Sequence, residues 1–215
     1  MWTRTHFMMF GSYRINDPKL NRFPRLTLEF KNGVFYQYAC AFRFVEPSEF
    51  KELDQRINVL STKWDEKYVL GMLKEKKDTY ICDLVLDQNL FAGSGNIVKN
   101  EILFNMRCHP LTKLSQLKPA DWPKLVHEVR TYCENFYKWK KKYELRRHWQ
   151  VYKKHKCPLC EEKITREKLG KLERSTFYCE THQKFPKRSQ KLVVHDVLPP
   201  PPPKTKLKKE KRLDH

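Results

Sequence analysis

Cys157-Pro-Leu-Cys160 and Cys179-Glu-Thr-His182 are two close pairs of soft or borderline donors, with eighteen residues between the pairs. Three thiolates and an imidazole form a donor set that zinc takes in a tetrahedron, each pair delivered by one tight knuckle. The intervening segment is long enough for a β-hairpin. Four protein donors leave no open coordination position, so the spacing predicts one structural Zn2+ and not a catalytic one. His155 is a second imidazole close by, but His182 has the knuckle spacing and is the expected fourth ligand. A lobe this small has little core of its own. Zinc binding would supply much of its folding free energy, on the order of 10 kcal/mol.

Two further groupings can do chemistry, both by binding. Arg174-Ser-Thr-Phe-Tyr-Cys179 reads as the return strand of the zinc hairpin, and an arginine held beside that turn can grip a phosphate with two parallel hydrogen bonds. Taken alone it reads more readily as an ordinary exposed arginine. Gly93-Ser-Gly95-Asn96 lies between two helical stretches, where glycines permit a tight turn with exposed backbone N–H groups and the second helix aims its N-terminal dipole outward. Such a turn suits a phosphate, and by itself is equally a plain turn.

The elements that carry these residues can be read from the pattern. Leu26, Leu28 and Phe30 alternate with polar residues and lead through Asn32-Gly33 into Val34-Phe35-Tyr36-Gln37-Tyr38, a hairpin signal with a type I′ turn expected at Asn-Gly. Residues 1–46 therefore read as β. From Pro47 the texture is helical: Val69, Leu70 and Leu73 share a face, Tyr80–Gln88 reads as a mostly buried helix, and Ile97–Phe104 as a second. Asp121-Trp122-Pro123 starts a third, carried by Val126, Val129, Cys133 and Phe136 toward about Arg147. The zinc segment occupies 151–186. Residues 187–215, with five consecutive prolines from Pro199 and a lysine-rich end, are expected to be disordered.

The chain has 215 residues, 40% hydrophobic and 13% aromatic, and a formal net charge of +19. That excess points to a polyanionic partner, nucleic acid first. The tail accounts for part of it, and Lys138, Lys140, Lys141, Lys142, Arg146 and Arg147 place more within the folded region. There is no apolar stretch long enough for a membrane span and no signal peptide pattern. Of the seven cysteines, Cys40, Cys82, Cys108 and Cys133 sit in apolar or mixed surroundings and are expected as buried thiols in a reducing cytoplasm.

Taken together, the run from Leu86-Asp87-Gln88 through Ala92-Gly93-Ser-Gly95-Asn96-Ile97 to Glu101-Ile-Leu103-Phe104, followed by His109-Pro110, resembles the helix–two-turn–helix signature of the formamidopyrimidine-DNA glycosylase / endonuclease VIII family. Cys157-x-x-Cys160, then Arg174 to Cys179-x-x-His182-Gln183, is similar to that family's C-terminal zinc finger in order and spacing, with His182 where the family usually has cysteine. His6 to Arg14 is similar to late strands of its β-sandwich. The resemblance covers about residues 3–186. It implies an α+β fold: a partial β-sandwich remnant over 1–46, a helical domain with the two-turn motif over 47–150, and the zinc-finger β-hairpin over 151–186.

The resemblance also implies a function in base-excision repair. The family excises oxidised bases and cleaves the abasic strand with the amine of an N-terminal proline followed by a glutamate. This chain has Trp2 and Thr3 there, so no catalytic residue is carried over, and we expect an N-terminally truncated form or a non-catalytic binder of double-stranded DNA or RNA. Whether it is an enzyme stays open. Gly93, Gly95, Asn96 and Arg174 would hold phosphates near a damaged or abasic nucleotide. Glu101 would stabilise the motif. Met9 aligns with a methionine that fills the gap left by an extruded base and equally with a sandwich-core residue. Arg43, with Phe44, resembles the end of a loop that wedges into the duplex. The expected partner is damaged or abasic double-stranded DNA, bound by a monomer without a membrane, in a bacterial-type cytoplasm associated with the nucleoid.

Overall fold

The computed structural model describes residues 2–49 and 54–186, together with Pro199. Apart from Pro199, the tail of 187–215 and the disorder expected for it lie outside the described residues. The chain divides into two compact units, Met1–Leu53 and Asp54–His215.

The first unit is a three-stranded antiparallel sheet in the order β1-β3-β2, with β1 at Trp2–Ile15, β2 at Leu26–Phe30 and β3 at Gly33–Val45. Among its described residues Tyr38, Cys40 and Val45 are the buried apolar positions. A register shift between Phe7 and Ser12 interrupts the β1–β3 ladder. The β2–β3 connection departs from the expected type I′ turn. Phe30 pairs with Gly33, so the two loop residues are Lys31 and Asn32, and neither has the positive φ that a type I′ turn needs. Gly33 has another reason to be glycine: a Cβ there would stand 2.5 Å from Asn16 Oδ1, the atom that accepts the Val34 N–H at 2.8 Å.

Among its described residues the second unit carries four α-helices: α1 at Glu66–Leu73, α2 at Ile81–Leu84, α3 at Asn96–Asn105 and α4 at Trp122–Lys141. Asp65 caps α1 by accepting the Tyr68 N–H. Val69 and Leu73 of α1 are fully buried, on one apolar core with Ile102 and Leu103 of α3 and Leu125, Val126 and Val129 of α4. The helix expected over Tyr80–Gln88 is only the single turn α2. Beyond it the chain closes tighter turns, Leu86 N–H to Asp83 and Asp87 N–H to Leu84, and the Asp87 carboxylate accepts the Asn89 N–H. The long helix α4 stops at Lys141 rather than near Arg147. Tyr143 takes a left-handed φ of 59°, and Leu145–His148 forms a separate short 3-10 turn.

The same unit contains the hairpin of β4 (Thr165–Leu169) and β5 (Arg174–Tyr178), paired from Thr165↔Tyr178 to Leu169↔Arg174. A second small core joins it to α3: Phe104 packs with Val151, Cys157, Ile164, Phe177 and Cys179. Cys40, Cys82, Cys108 and Cys133 are buried and unbridged, as expected for reduced thiols. Among the described residues no helix is long and apolar enough to cross a membrane.

Candidate DNA-binding site and metal centre

The Gly93–Asn96 turn is held from below by one side chain. Gln88 accepts the Gly93 N–H at 3.1 Å and donates to the carbonyls of Ser94 at 2.8 Å and Leu86 at 3.1 Å. Gly93 is exposed with φ +98°, a left-handed backbone that glycine adopts without strain. Gly95 precedes α3 in an extended conformation, and a Cβ there would meet nothing within 4 Å. Its missing side chain therefore leaves open space over the backbone. Among the described residues no side chain caps the first turn of α3. Its N–H groups and the positive end of the helix dipole are left for an external acceptor. A cleft of about 270 Å³ opens beside the turn, against Cys133, Phe136, Tyr137 and Lys140 of α4.

Asn96 faces the hairpin. Its side-chain amide donates to the Ser175 carbonyl at 2.9 Å. Asn100, one turn on, donates to the Asn96 carbonyl at 2.7 Å and accepts the Phe177 N–H at 2.7 Å. Arg174, exposed at the start of β5, is thereby fixed relative to the turn that begins α3. The hairpin's tip is fixed as well. Gly170 has φ +76°, and the Asp83 carboxylate of α2 accepts the N–H groups of Lys171 at 2.8 Å and Leu172 at 3.1 Å.

Two buried ionisable side chains on α3 support this arrangement, and only one was visible in the sequence. Glu101 accepts the backbone N–H groups of Gln150 at 2.7 Å, Val151 at 3.1 Å and Tyr152 at 2.8 Å, stitching α3 to the segment that enters the cysteine lobe. Burial pushes its carboxyl up to about 7, opposed by those three donors. Lys99 donates to Thr176 Oγ1 at 2.7 Å and to the Ser175 carbonyl at 3.3 Å. Burial lowers its amine to about 8. Neither Lys99 nor Gln88 was singled out from the sequence. Their partners are a strand 76 or more residues away and the backbone of an irregular turn. The one available signal was a lysine on the apolar side of a helix pattern.

The four metal-ligating candidates come together. The Sγ atoms of Cys157, Cys160 and Cys179 and a ring nitrogen of His182 all lie within 4.8 Å of one another, and His155 is not among them. Cys160 Sγ to Cys179 Sγ is 3.7 Å, and His182 Nδ1 is 3.4 Å from Cys179 Sγ and 3.7 Å from Cys157 Sγ. Around a tetrahedral zinc, bond lengths of about 2.3 Å to sulfur and about 2.0 Å to nitrogen give edges of roughly 3.8 Å for S···S and roughly 3.5 Å for S···N. The donor set and spacing fit that ion. Gln183 braces the second knuckle, accepting the Cys179 N–H at 3.0 Å and donating to the Cys108 carbonyl at 3.1 Å.

Arg43 lies exposed in β3 of the first unit, paired with Arg4. Met9 lies within β1, and its side chain is outside the described residues. These two belong to a different compact unit from Gly93, Gly95, Asn96 and Arg174.

Residues 57–140 match the formamidopyrimidine-DNA glycosylase H2TH domain. Endonuclease 8-like 3 of Mus musculus is 31% identical over 189 residues, 84% of this chain and 31% of that protein. Endonuclease 8-like 2 of Mus musculus is 31% identical over 193 residues, 83% of this chain and 56% of that protein. The chain belongs to the formamidopyrimidine-DNA glycosylase / endonuclease VIII family. It spans about a third of the first of these relatives and just over half of the second. The family fold is seen directly in two solved structures. A viral DNA glycosylase superposes with a TM-score of 0.71 at 22% identity, over 85% of this chain and 77% of that one. The Lactococcus lactis formamidopyrimidine-DNA glycosylase, non-covalently bound to DNA containing an abasic site, superposes with a TM-score of 0.70 at 24% identity, over 85% and 74%.

Proposed function

We propose that this chain serves DNA repair within its glycosylase family by gripping duplex DNA at a damaged or abasic nucleotide. The observation that carries the reading is the junction of Asn96 with Ser175, which fixes an uncapped helix start and an exposed arginine in one frame. Two rigid phosphate grips of that kind hold a backbone in register, and positive charge elsewhere on the chain adds sequence-independent affinity. Extrusion of the target nucleotide follows the general logic of enzymes that act on a base within a duplex.

One structural zinc, held by Cys157, Cys160, Cys179 and His182, completes the site. The ion would close the two knuckles on each other and so stiffen the hairpin that carries Arg174. A chain of this kind acts as a monomer in a reducing compartment.

Binding at stated salt tests the reading, because phosphate contacts make affinity salt-dependent. Fluorescence anisotropy with a duplex carrying a tetrahydrofuran abasic analogue, an intact duplex and a double-stranded RNA should rank them in that order. An RNA preference would sink it.

A second reading, a binder without strand-cleaving chemistry, is favoured by the state of Lys99. Its amine has the lowered pKa of a Schiff-base nucleophile, but it is fully buried and bonded to Thr176, out of reach of an abasic sugar. Borohydride trapping on an abasic duplex decides between the two. A covalent adduct formed at enzymatic rates excludes the second reading, whereas slow adducts are within reach of any exposed lysine.

A further inference from the structure

Lys99 is fully buried, yet it is not paired with a carboxylate among the described ion pairs. Its ammonium meets the Thr176 hydroxyl at 2.7 Å and the Ser175 carbonyl at 3.3 Å. An ammonium has three donors and no acceptor, so Thr176 Oγ1 must accept from it. The hydroxyl's single proton is then directed elsewhere, and the atom it meets is the Arg174 carbonyl at 2.9 Å. The result is a one-way relay from Lys99 Nζ through Thr176 Oγ1 to the backbone of Arg174. Thr176 is itself fully buried, so no water competes for its hydroxyl.

A buried ammonium is costly, and an apolar side chain of similar length would fill the same space at lower cost. The groups that face it are Asp83 of α2, which favours its charge, Arg174 of β5, which opposes it, and Cys82 of α2, a thiol that burial keeps protonated and neutral. A charge kept against such a cost has a task beyond packing. Asn96 and Asn100 of the same helix also reach the Ser175 carbonyl, at 2.9 and 3.4 Å, so all three side chains converge on the residue after Arg174.

We propose that Lys99 is a positioning residue for DNA binding: through the Thr176 hydroxyl it fixes the Arg174 backbone and so aims the arginine at phosphate. This deepens the functional reading above and rests on it, since it requires Arg174 to touch DNA. Deprotonation of Lys99 would free the hydroxyl to donate back to the amine and release the Arg174 carbonyl. Phosphate brought close by Arg174 favours the ammonium, so DNA binding and proton retention support each other.

The test is a double-mutant cycle read as affinity for the abasic-analogue duplex, over Lys99→Met, Arg174→Ala and the two combined. Arg174→Ala alone should weaken binding roughly tenfold or more, as loss of a charge-assisted phosphate contact does. Lys99→Met should weaken it about five- to tenfold on its own and add nothing in the Arg174→Ala background. Wild-type affinity should also fall as pH rises through about 8, a step that Lys99→Met lacks. Wild-type affinity in Lys99→Met, full multiplication of the two losses, or a pH step retained in Lys99→Met overturns the relay while leaving the DNA-binding reading intact. An unchanged affinity in Arg174→Ala overturns both. If Lys99→Met does not fold, Thr176→Val breaks the relay at its middle with little change of volume, and the same non-additivity with Arg174→Ala decides.

Discussion

The side-chain amide of Asn96 donates to the carbonyl of Ser175 at 2.9 Å, across seventy-nine residues of chain. Asn96 is the first residue of α3, and Ser175 follows Arg174 in β5, so this bond joins the two candidate phosphate grips. Asn96→Ala removes it and should weaken binding of abasic-analogue duplex by about 1–2 kcal/mol, roughly five- to thirtyfold. Asn96→Asp should cost more than alanine. It sets a carboxylate against the Ser175 carbonyl and beside any phosphate at the helix start. Equal affinities for asparagine and aspartate would remove Asn96 from the interface. Thermal unfolding of both variants separates a local loss from a global one.

Metal removal should cost affinity before it costs the fold. The larger core is built from α1 to α4 and the segments around them, and no residue of the β4–β5 hairpin belongs to it. The cysteine lobe packs instead on Phe104 and its own small cluster. Chelation of zinc should therefore abolish tight DNA binding while far-UV circular dichroism keeps most of its helical signal. His182→Cys, which retains four zinc donors, should keep binding, and His182→Ala should lose it. A collapse of helix content on chelation would show that the two cores fold as one.

What the sequence made legible was local. The knuckle spacing of Cys157, Cys160, Cys179 and His182 and the glycines of the Gly93–Asn96 turn are short-range patterns; the structure brings the four donors within 4.8 Å of one another and gives Gly93 a left-handed φ. What it hid was set by distant partners. Asn32-Gly33 looked like a type I′ turn, but Gly33 is small because Asn16 approaches it from another segment. The helix expected over Tyr80–Gln88 ends early. Asp83 instead serves the hairpin tip, and Gln88 serves the glycine turn. An apolar run signals burial, and burial alone does not fix helix length. Lys99 was unreadable for the same reason: its task lies in a strand that only the fold brings near.

The hairpin tip offers a backbone test. Gly170 has φ +76°, and a Cβ there would collide with the Asp83 carboxylate that accepts the Lys171 and Leu172 N–H groups. Gly170→Ala thus combines left-handed strain with displacement of a buried acceptor. It should destabilise the chain by about 1–3 kcal/mol in urea unfolding and loosen the grip of Arg174 on DNA. A glycine chosen only for loop flexibility would tolerate alanine at a few tenths of that cost.

Glu101 makes stability depend on pH in a direction opposite to that of most carboxylates. Burial raises its carboxyl from 4.5 to about 7, while the unfolded chain releases the proton at the ordinary value. Between those limits the folded state holds the proton and the unfolded state does not, so stability falls as pH rises from about 4.5 to about 7 and then levels. The shift corresponds to about 3–4 kcal/mol at most, since each pKa unit is worth about 1.4 kcal/mol. The N–H groups of Gln150, Val151 and Tyr152 limit the loss by favouring the charged form. Glu101→Gln cannot titrate, so the slope from this site should vanish. Its amide nitrogen would also face one of those N–H donors, so the variant should be less stable than wild type by about 1–3 kcal/mol at pH 8. Urea unfolding of both proteins from pH 5 to 8 checks both parts. A wild-type stability that rises through the whole interval, and falls no more steeply than the variant's anywhere in it, would mean that the three donors outweigh burial and keep Glu101 ionised throughout.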